Sequence, residues 1–143
     1  MISVKEVLQV KGFEVWTIDS DQTVYAALQQ LAEKNIGALV VLRDGRVVGI
    51  LSERDYARKV ILEGKTSRDT LVHQIMSTSV VGVSPETSME ECMAIMTERH
   101  IRHLPVFVGE DLIGVISIGD VVKAIISNQE ILIDHLVSYI TGR

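Results

Sequence analysis

The chain carries nearly the same pattern twice. Ile18 aligns with Val83, Leu39 with Leu104, Val41 with Val106, Gly49 with Gly114, Ser52 with Ser117 and Asp55 with Asp120, all at a constant offset of 65 residues. The register holds without a gap over about forty positions, and a period this long marks a duplicated supersecondary unit rather than a solenoid of short repeats. Two related halves imply pseudo-twofold symmetry, and an interface between such halves is where a small-ligand cleft is expected.

Length and composition limit what the duplication can build. With 143 residues, 47% hydrophobic and 23% charged, the chain suffices for one compact core and not for two large ones. No apolar run approaches the roughly 20 residues that span a bilayer, and Met1-Ile2-Ser3-Val4-Lys5-Glu6 has no apolar signal-peptide core, so a cytoplasmic protein without membrane contact is expected. A single cysteine, Cys92, excludes an internal disulfide framework and suits a reducing compartment. A net charge of -5 argues against nucleic-acid binding, which needs clustered Lys and Arg. Any anion site must therefore be local.

Each copy reads strand, helix, strand, strand, helix. In the first, Val15 to Ile18 reads as a short strand, and Val24, Ala27, Leu28 and Leu31 follow the spacing of an amphipathic helix. The second copy repeats the spacing with Met89, Cys92, Met93 and Met96, and Ser88 with Glu91 fits a capping box at the helix start. Two apolar runs follow, Ala38 to Leu42 and Val47 to Leu51, with the hairpin signal Asp44-Gly45 between them; Leu104 to Val108 and Leu112 to Ile116 are their counterparts. A final helix is expected from about Ser52 to Leu62 and again from about Ser117 to Ile126. The resulting fold class is α/β (α+β), with duplicated β-α-β-β-α units packed as a pseudo-twofold pair. The expected boundaries are 1–62 for the first domain with an N-terminal helix, 63–79 for a linker with a short helix, 80–127 for the second domain and 128–143 for a C-terminal helix.

The chemistry concentrates after the last strand of each copy. Gly49-Ile50-Leu51-Ser52-Glu53-Arg54-Asp55 and Gly114-Val115-Ile116-Ser117-Ile118-Gly119-Asp120 both read Gly-x-x-Ser-x-x-Asp. A serine hydroxyl and free N–H groups at a helix start can hold an anion, and a nearby carboxylate can accept both hydroxyls of a ribose. The same Ser-x-x-Asp pattern also serves as a helix cap for stability alone, and the two readings stand side by side. The glycine ahead of each serine suits close approach of a ligand or of a neighbouring backbone.

Arg54 falls in the first turn of a helix, where a cation faces the positive end of the macrodipole and an anionic ligand would relieve the mismatch. Pairing with Glu53 or extension into water is the simpler account. Arg58 and Lys59 read as solvated helix surface. The second copy has Gly119 in place of Arg54, and its corresponding cations are expected in Arg102 and His103. At the equivalent place the first copy has Asn35-Ile36-Gly37-Ala38, small and apolar enough for an adenine face.

These residues carry a resemblance. Val24 to Leu28, Ile36 to Val41, Gly49 to Asp55, Ile101 to Val106 and Gly114 to Asp120, in that order and in duplicate, resemble a tandem pair of CBS domains, named after cystathionine β-synthase. The resemblance runs from about Val7 to Ile126 and is nearest to small standalone bacterial pairs, which are similar to the regulatory insert of inosine-monophosphate dehydrogenase. It implies a non-enzymatic sensor that binds adenosine ligands (AMP, ADP, ATP, NAD or S-adenosylmethionine) between its halves, forms a homodimer and signals to a regulated protein partner. Carried over residue by residue, Asp120 would hold the ribose, Ser117 ribose or phosphate, and Arg102 and His103 the phosphate, with Val15, Trp16, Ile36, Gly37 and Ala38 around the adenine. The second site would use Ser52, Arg54 and Asp55 with Val80, Val81, Ile101 and Arg102.

Other chemistries fit less well. Cys92 lies on an apolar helix face among methionines and reads as structural rather than as a nucleophile. His73, His100, His103 and His135 lack the Cys or acidic partners of a recognisable metal set, so no metal is expected. In the tail, Ile133, Leu136, Val137 and Ile140 form an apolar helical stripe that either docks on the chain's own core or contributes to a dimer.

Overall fold

Capping residues and tight turns decide where each element begins and ends. In the computed structural model, which describes residues 1–141, helix α1 (Val4–Lys11) opens at Ser3, whose hydroxyl accepts from the Glu6 N–H. Strand β1 (Thr17–Asp19) leads to α2 (Val24–Lys34), capped by the Thr23 hydroxyl and closed by Asn35 in the left-handed conformation. Strands β2 (Ala38–Arg43) and β3 (Arg46–Ser52) form a hairpin whose two turn residues, Asp44 and Gly45, take φ values of 52° and 76°. Positive φ at both positions is what a tight hairpin turn requires. β1 runs parallel to β2, and β2 antiparallel to β3.

The chain then makes α3 (Glu53–Tyr56), a π-helical turn at Ala57–Ile61, and the short α4 (Val72–Ile75). The second copy supplies α5 (Met89–Arg99), β4 (His103–Val108), β5 (Asp111–Ser117) and α6 (Ile118–Thr141). The duplication extends to irregularities. The left-handed helix end recurs at Asn35 and His100, and the strand bulge recurs at Val41/Leu42 and Val106/Phe107.

Three elements depart from the expected pattern. The counterpart of β1 is reduced to one parallel bridge, Val83 to Val106. Gly82 precedes that bridge and Pro85, which has no N–H, follows two residues later, so a longer ladder is disfavoured. The helix expected over residues 52–62 is one α-turn followed by the π-turn. The separate C-terminal helix is instead part of α6, which runs unbroken through Ser127-Asn128-Gln129, a stretch with no Gly or Pro to interrupt it.

Two compact units result. Val15–Val81 forms one, and Met1–Glu14 together with the chain from Gly82 onward forms the other. Along the sequence α1 precedes the first copy; in space it completes the second. The Val4 N–H donates to the Thr87 carbonyl at 2.8 Å, and the Met89 N–H donates to the Ile2 carbonyl at 2.8 Å. The segment around α4 does the same for the first copy, with the Val72 N–H on the Gln22 carbonyl and the Val24 N–H on the Thr70 carbonyl, both at 2.8 Å.

The core of the continuous unit gathers Ile18, Val24, Leu31, Leu39, Val41, Leu51, Val60, Val72 and Ile75. In the other unit Leu8, Met89, Cys92, Met96, Leu104, Ile116 and Val121 are buried. Each large side chain removed from water contributes about 1.5–3 kcal/mol. The methionines and Cys92 of α5 are thus packing residues.

Candidate functional site

The two Gly-x-x-Ser-x-x-Asp segments sit where a strand passes into a helix, β3 into α3 and β5 into α6. Antiparallel pairing places Ala38 opposite Ser52 and His103 opposite Ser117. The Glu53 N–H donates to the Gly37 carbonyl at 3.2 Å, and the Ile118 N–H donates to the Arg102 carbonyl at 2.8 Å. Each serine-aspartate turn is therefore tied, within its own unit, to the helix-to-strand loop singled out in the sequence: Ile36-Gly37-Ala38 in one and Ile101-Arg102-His103 in the other.

The aspartates are used differently. In the continuous unit the Ser52 N–H donates to Asp55 Oδ2 at 2.9 Å, the Ser52 hydroxyl bonds the same oxygen at 3.1 Å, and the Asp55 N–H reaches back to Ser52 Oγ at 3.4 Å. Lys59 Nζ lies 3.4 Å from Asp55 Oδ1, so both carboxylate oxygens are engaged. In the other unit the Ser117 N–H and Lys11 Nζ both donate to Asp120 Oδ2, at 2.8 and 2.7 Å. The Asp120 N–H donates to Ser117 Oγ at 3.2 Å. Asp120 Oδ1 accepts no hydrogen bond among the described residues.

Burial and charge compete at this second turn. Burial pushes the Asp120 carboxyl pKa upward, but the Lys11 hydrogen bond and charge, together with the Ser117 hydrogen bonds, outweigh it and hold the pKa below its ordinary value. His103 is shifted down by burial first and then by the Lys11 charge, with Asp120 pulling it back up and Arg102 adding a smaller push down. A neutral imidazole at neutral pH follows, able to bond a ligand but not to supply a fixed positive charge. The Arg102 side chain is exposed.

Other candidates fall as follows. Trp16 is half-buried, and Lys34 Nζ stands 4.3 Å from its ring centroid, so one face is already covered by a cation. Val15, Ile36, Ala38, Val80, Val81 and Ile101 are half-buried. Arg54 is exposed and forms no ion pair among the described residues. Since α3 has only 4 residues, the macrodipole argument for an anion at Arg54 loses its force. The glycines before the serines are approached by protein: an added Cβ would lie 2.7 Å from Met76 Sδ at Gly49 and 2.8 Å from Leu8 Cδ2 at Gly114.

Cys92 is buried, and desolvation, with Glu91 adding to it, raises its thiol pKa to about 11, which removes it as a nucleophile near neutral pH. His100 closes α5 in the left-handed conformation. No group of three His, Cys, Asp or Glu side chains suited to a metal ion occurs among the described residues.

Sequence reasoning missed the two lysines. Lys59 lies four residues after Asp55, a spacing that brings the two together on a helix and could have flagged it. Lys11 had no local signal, because it reaches Asp120 only once α1 has docked on the second copy.

The family model of the CBS domain matches residues 4–62 and 72–127. The mitochondrial CBS domain-containing protein CBSX3 of Arabidopsis thaliana is 41% identical over 128 residues, covering 86% of this chain and 62% of that protein, so the chain spans under two thirds of that relative. A solved CBS-domain protein from Burkholderia ambifaria, provisionally described as a signal-transduction protein, is 46% identical, with a TM-score of 0.85, over 89% of this chain and 96% of the other. Hypoxic Response Protein I, solved with two coordinated zinc ions, is 25% identical with a TM-score of 0.71 over 87% of this chain and 99% of the other. With the duplicated units, the paired Ser-x-x-Asp turns and these matches together, the chain belongs to the CBS-domain family and carries the domain twice.

Proposed function

We propose that the protein is a non-enzymatic regulatory module that binds an adenosine ligand and passes its bound state to another protein. The observation that carries this reading is the Asp120 turn. It combines a half-buried carboxylate with one uncommitted oxygen, the Ser117 hydroxyl, a neutral His103 and the exposed Arg102, all within one unit. Ribose hydroxyls are donors suited to the open oxygen, and Arg102 with His103 suits the phosphate. Asp120 is the dominant site in this reading, because Asp55 already has both oxygens occupied. Signalling further requires that the ligand favour one of two states, since equal affinity for both shifts nothing.

Titration calorimetry of AMP, ADP, ATP, NAD and S-adenosylmethionine into nucleotide-stripped protein tests this. Binding that survives Asp55→Ala and is lost in Asp120→Ala supports the reading; no heat and no thermal stabilisation with any of the five overturns it.

A second reading, a structural homodimer whose Ser-x-x-Asp turns are only caps, is favoured by the reciprocal bonding of Ser52 with Asp55 and by the exposed Ile133, Leu136, Val137 and Ile140 on α6. Dimerisation is compatible with both readings, so ligand binding alone separates them.

A further inference from the structure

The two equivalent aspartates are each held by a lysine, and the two lysines come from unrelated places in the chain. Lys11 Nζ, at the end of α1, donates to Asp120 Oδ2 at 2.7 Å and to the Val115 carbonyl at 2.8 Å. Lys59 Nζ, in the π-turn after α3, donates to the Ile75 carbonyl at 3.0 Å and pairs with Asp55 Oδ1 at 3.4 Å. At the repeat offset Lys59 corresponds to Ala124, so the second copy has no lysine there. The position that corresponds to Lys11, by the correspondence of α1 with the α4 segment, is Ser79. Duplication therefore did not copy one lysine into both sites. The shared feature is the arrangement itself: an ammonium bridging the aspartate carboxylate and a main-chain carbonyl.

We infer that Lys11 is a specificity determinant of the Asp120 site, neutralising the ribose-binding carboxylate so that the site accepts a phosphorylated nucleotide rather than an uncharged nucleoside. This rests on the adenosine-ligand reading above and deepens it. A bare carboxylate suits a sugar diol but repels a phosphate one sugar-length away, and at a part-exposed site that repulsion is only partly screened. Lys11 removes the repulsion without blocking the diol, because it occupies Oδ2 and leaves Oδ1 open. The side-chain exposures, 36% for Lys11 and 20% for Asp120, leave the pair reachable by a ligand. With Asp120 neutralised, Arg102 supplies net positive charge for the phosphate while His103 stays neutral.

The test is calorimetric titration of adenosine and of AMP, at one ionic strength, into protein carrying Asp55→Ala and into the same background with Lys11→Met or Lys11→Arg. Circular dichroism and thermal melts check that each variant is folded. The expected result is that Lys11→Met lowers AMP affinity about tenfold while adenosine affinity changes by less than about twofold, and that Lys11→Arg restores the AMP preference. An unchanged ratio of AMP to adenosine affinity, or an equal loss of both, overturns the inference and leaves Lys11 with a structural role. Binding to the unsubstituted protein but not to the Asp55→Ala background moves the ligand to Asp55 and also overturns it. Failure of the unsubstituted protein to bind either ligand sinks the adenosine reading itself.

Discussion

The main-chain oxygen of Ser77 lies where position 49 has no room for a side chain: a Cβ added to Gly49 would stand 2.8 Å from it. At the equivalent Gly114 the nearest atoms are the two terminal methyls of Leu8, at 2.8 and 3.0 Å. A leucine can change rotamer, whereas the Ser77 backbone is fixed by its own pairing with Ile50, at 2.9 and 3.0 Å. Gly49→Ala is therefore expected to cost about 1–3 kcal/mol and Gly114→Ala clearly less. Urea unfolding of the two variants checks the order, and equal losses would contradict it.

Asp120 and His103 give stability two separate responses to acid. The folded-state pKa of His103 is lowered, so the unfolded chain takes up a proton first, and stability is lost as pH falls from about 6.5. The folded-state pKa of Asp120 is also lowered, so its contribution is complete above the unfolded value near 3.9 and disappears as pH falls through the folded value. His103→Gln should flatten the upper part of the profile and Asp120→Asn the lower part. Urea midpoints measured from pH 7.5 to 3 read both. Lys11→Met at neutral pH is expected to cost under about 1 kcal/mol, because the pair is partly exposed.

Cys92 should be silent toward thiol reagents in the folded protein. It has no exposed surface and its thiol pKa is raised to about 11. Reaction with a disulfide reagent at pH 8 is expected only after denaturant is added, at the rate of unfolding or opening. Rapid labelling of native protein would contradict the burial of the α5 face.

Dimerisation should depend on α6. Ile133, Leu136, Val137 and Ile140 are 50% exposed or more in the single chain, and a contiguous apolar face of this kind marks an association surface. Sedimentation at micromolar concentration is expected to give a dimer, and Leu136→Glu with Ile140→Glu a monomer of unchanged helicity. A monomeric unsubstituted protein would exclude this interface.

What could be read in the sequence was whatever depends on neighbours along the chain. Asp44-Gly45 announced its hairpin, Ser88 its helix start, and the repeat offset carried the helix, hairpin and paired Ser52 and Ser117 turns of one copy to the other. The extent of α6 could not be read, since nothing in the polar stretch Ser127-Asn128-Gln129-Glu130 compels either continuation or a break. The partner of Asp120 was equally hidden: Lys11 is 109 residues away, and only the docking of α1 brings them together. Lys59 was near enough to Asp55 to be paired with it, yet its basic neighbours Arg58 and Arg54 made solvated surface the simpler reading.

The assignment of α1 to the second copy has a consequence for how the protein is made. The unit Val15–Val81 is continuous, so all its parts are available as soon as that stretch has been synthesised. The other unit joins α1, which precedes that stretch, to β5, which follows it, and it cannot close until β5 exists. Nearly the whole chain must be looped to bring Lys11 to Asp120, and loop-closure entropy grows with that length. On the ribosome α1 therefore waits as an unpartnered apolar segment, with Val4 and Leu8 bare, while the unit Val15–Val81 is already synthesised. The birth order of the elements is not the order in which they are finished.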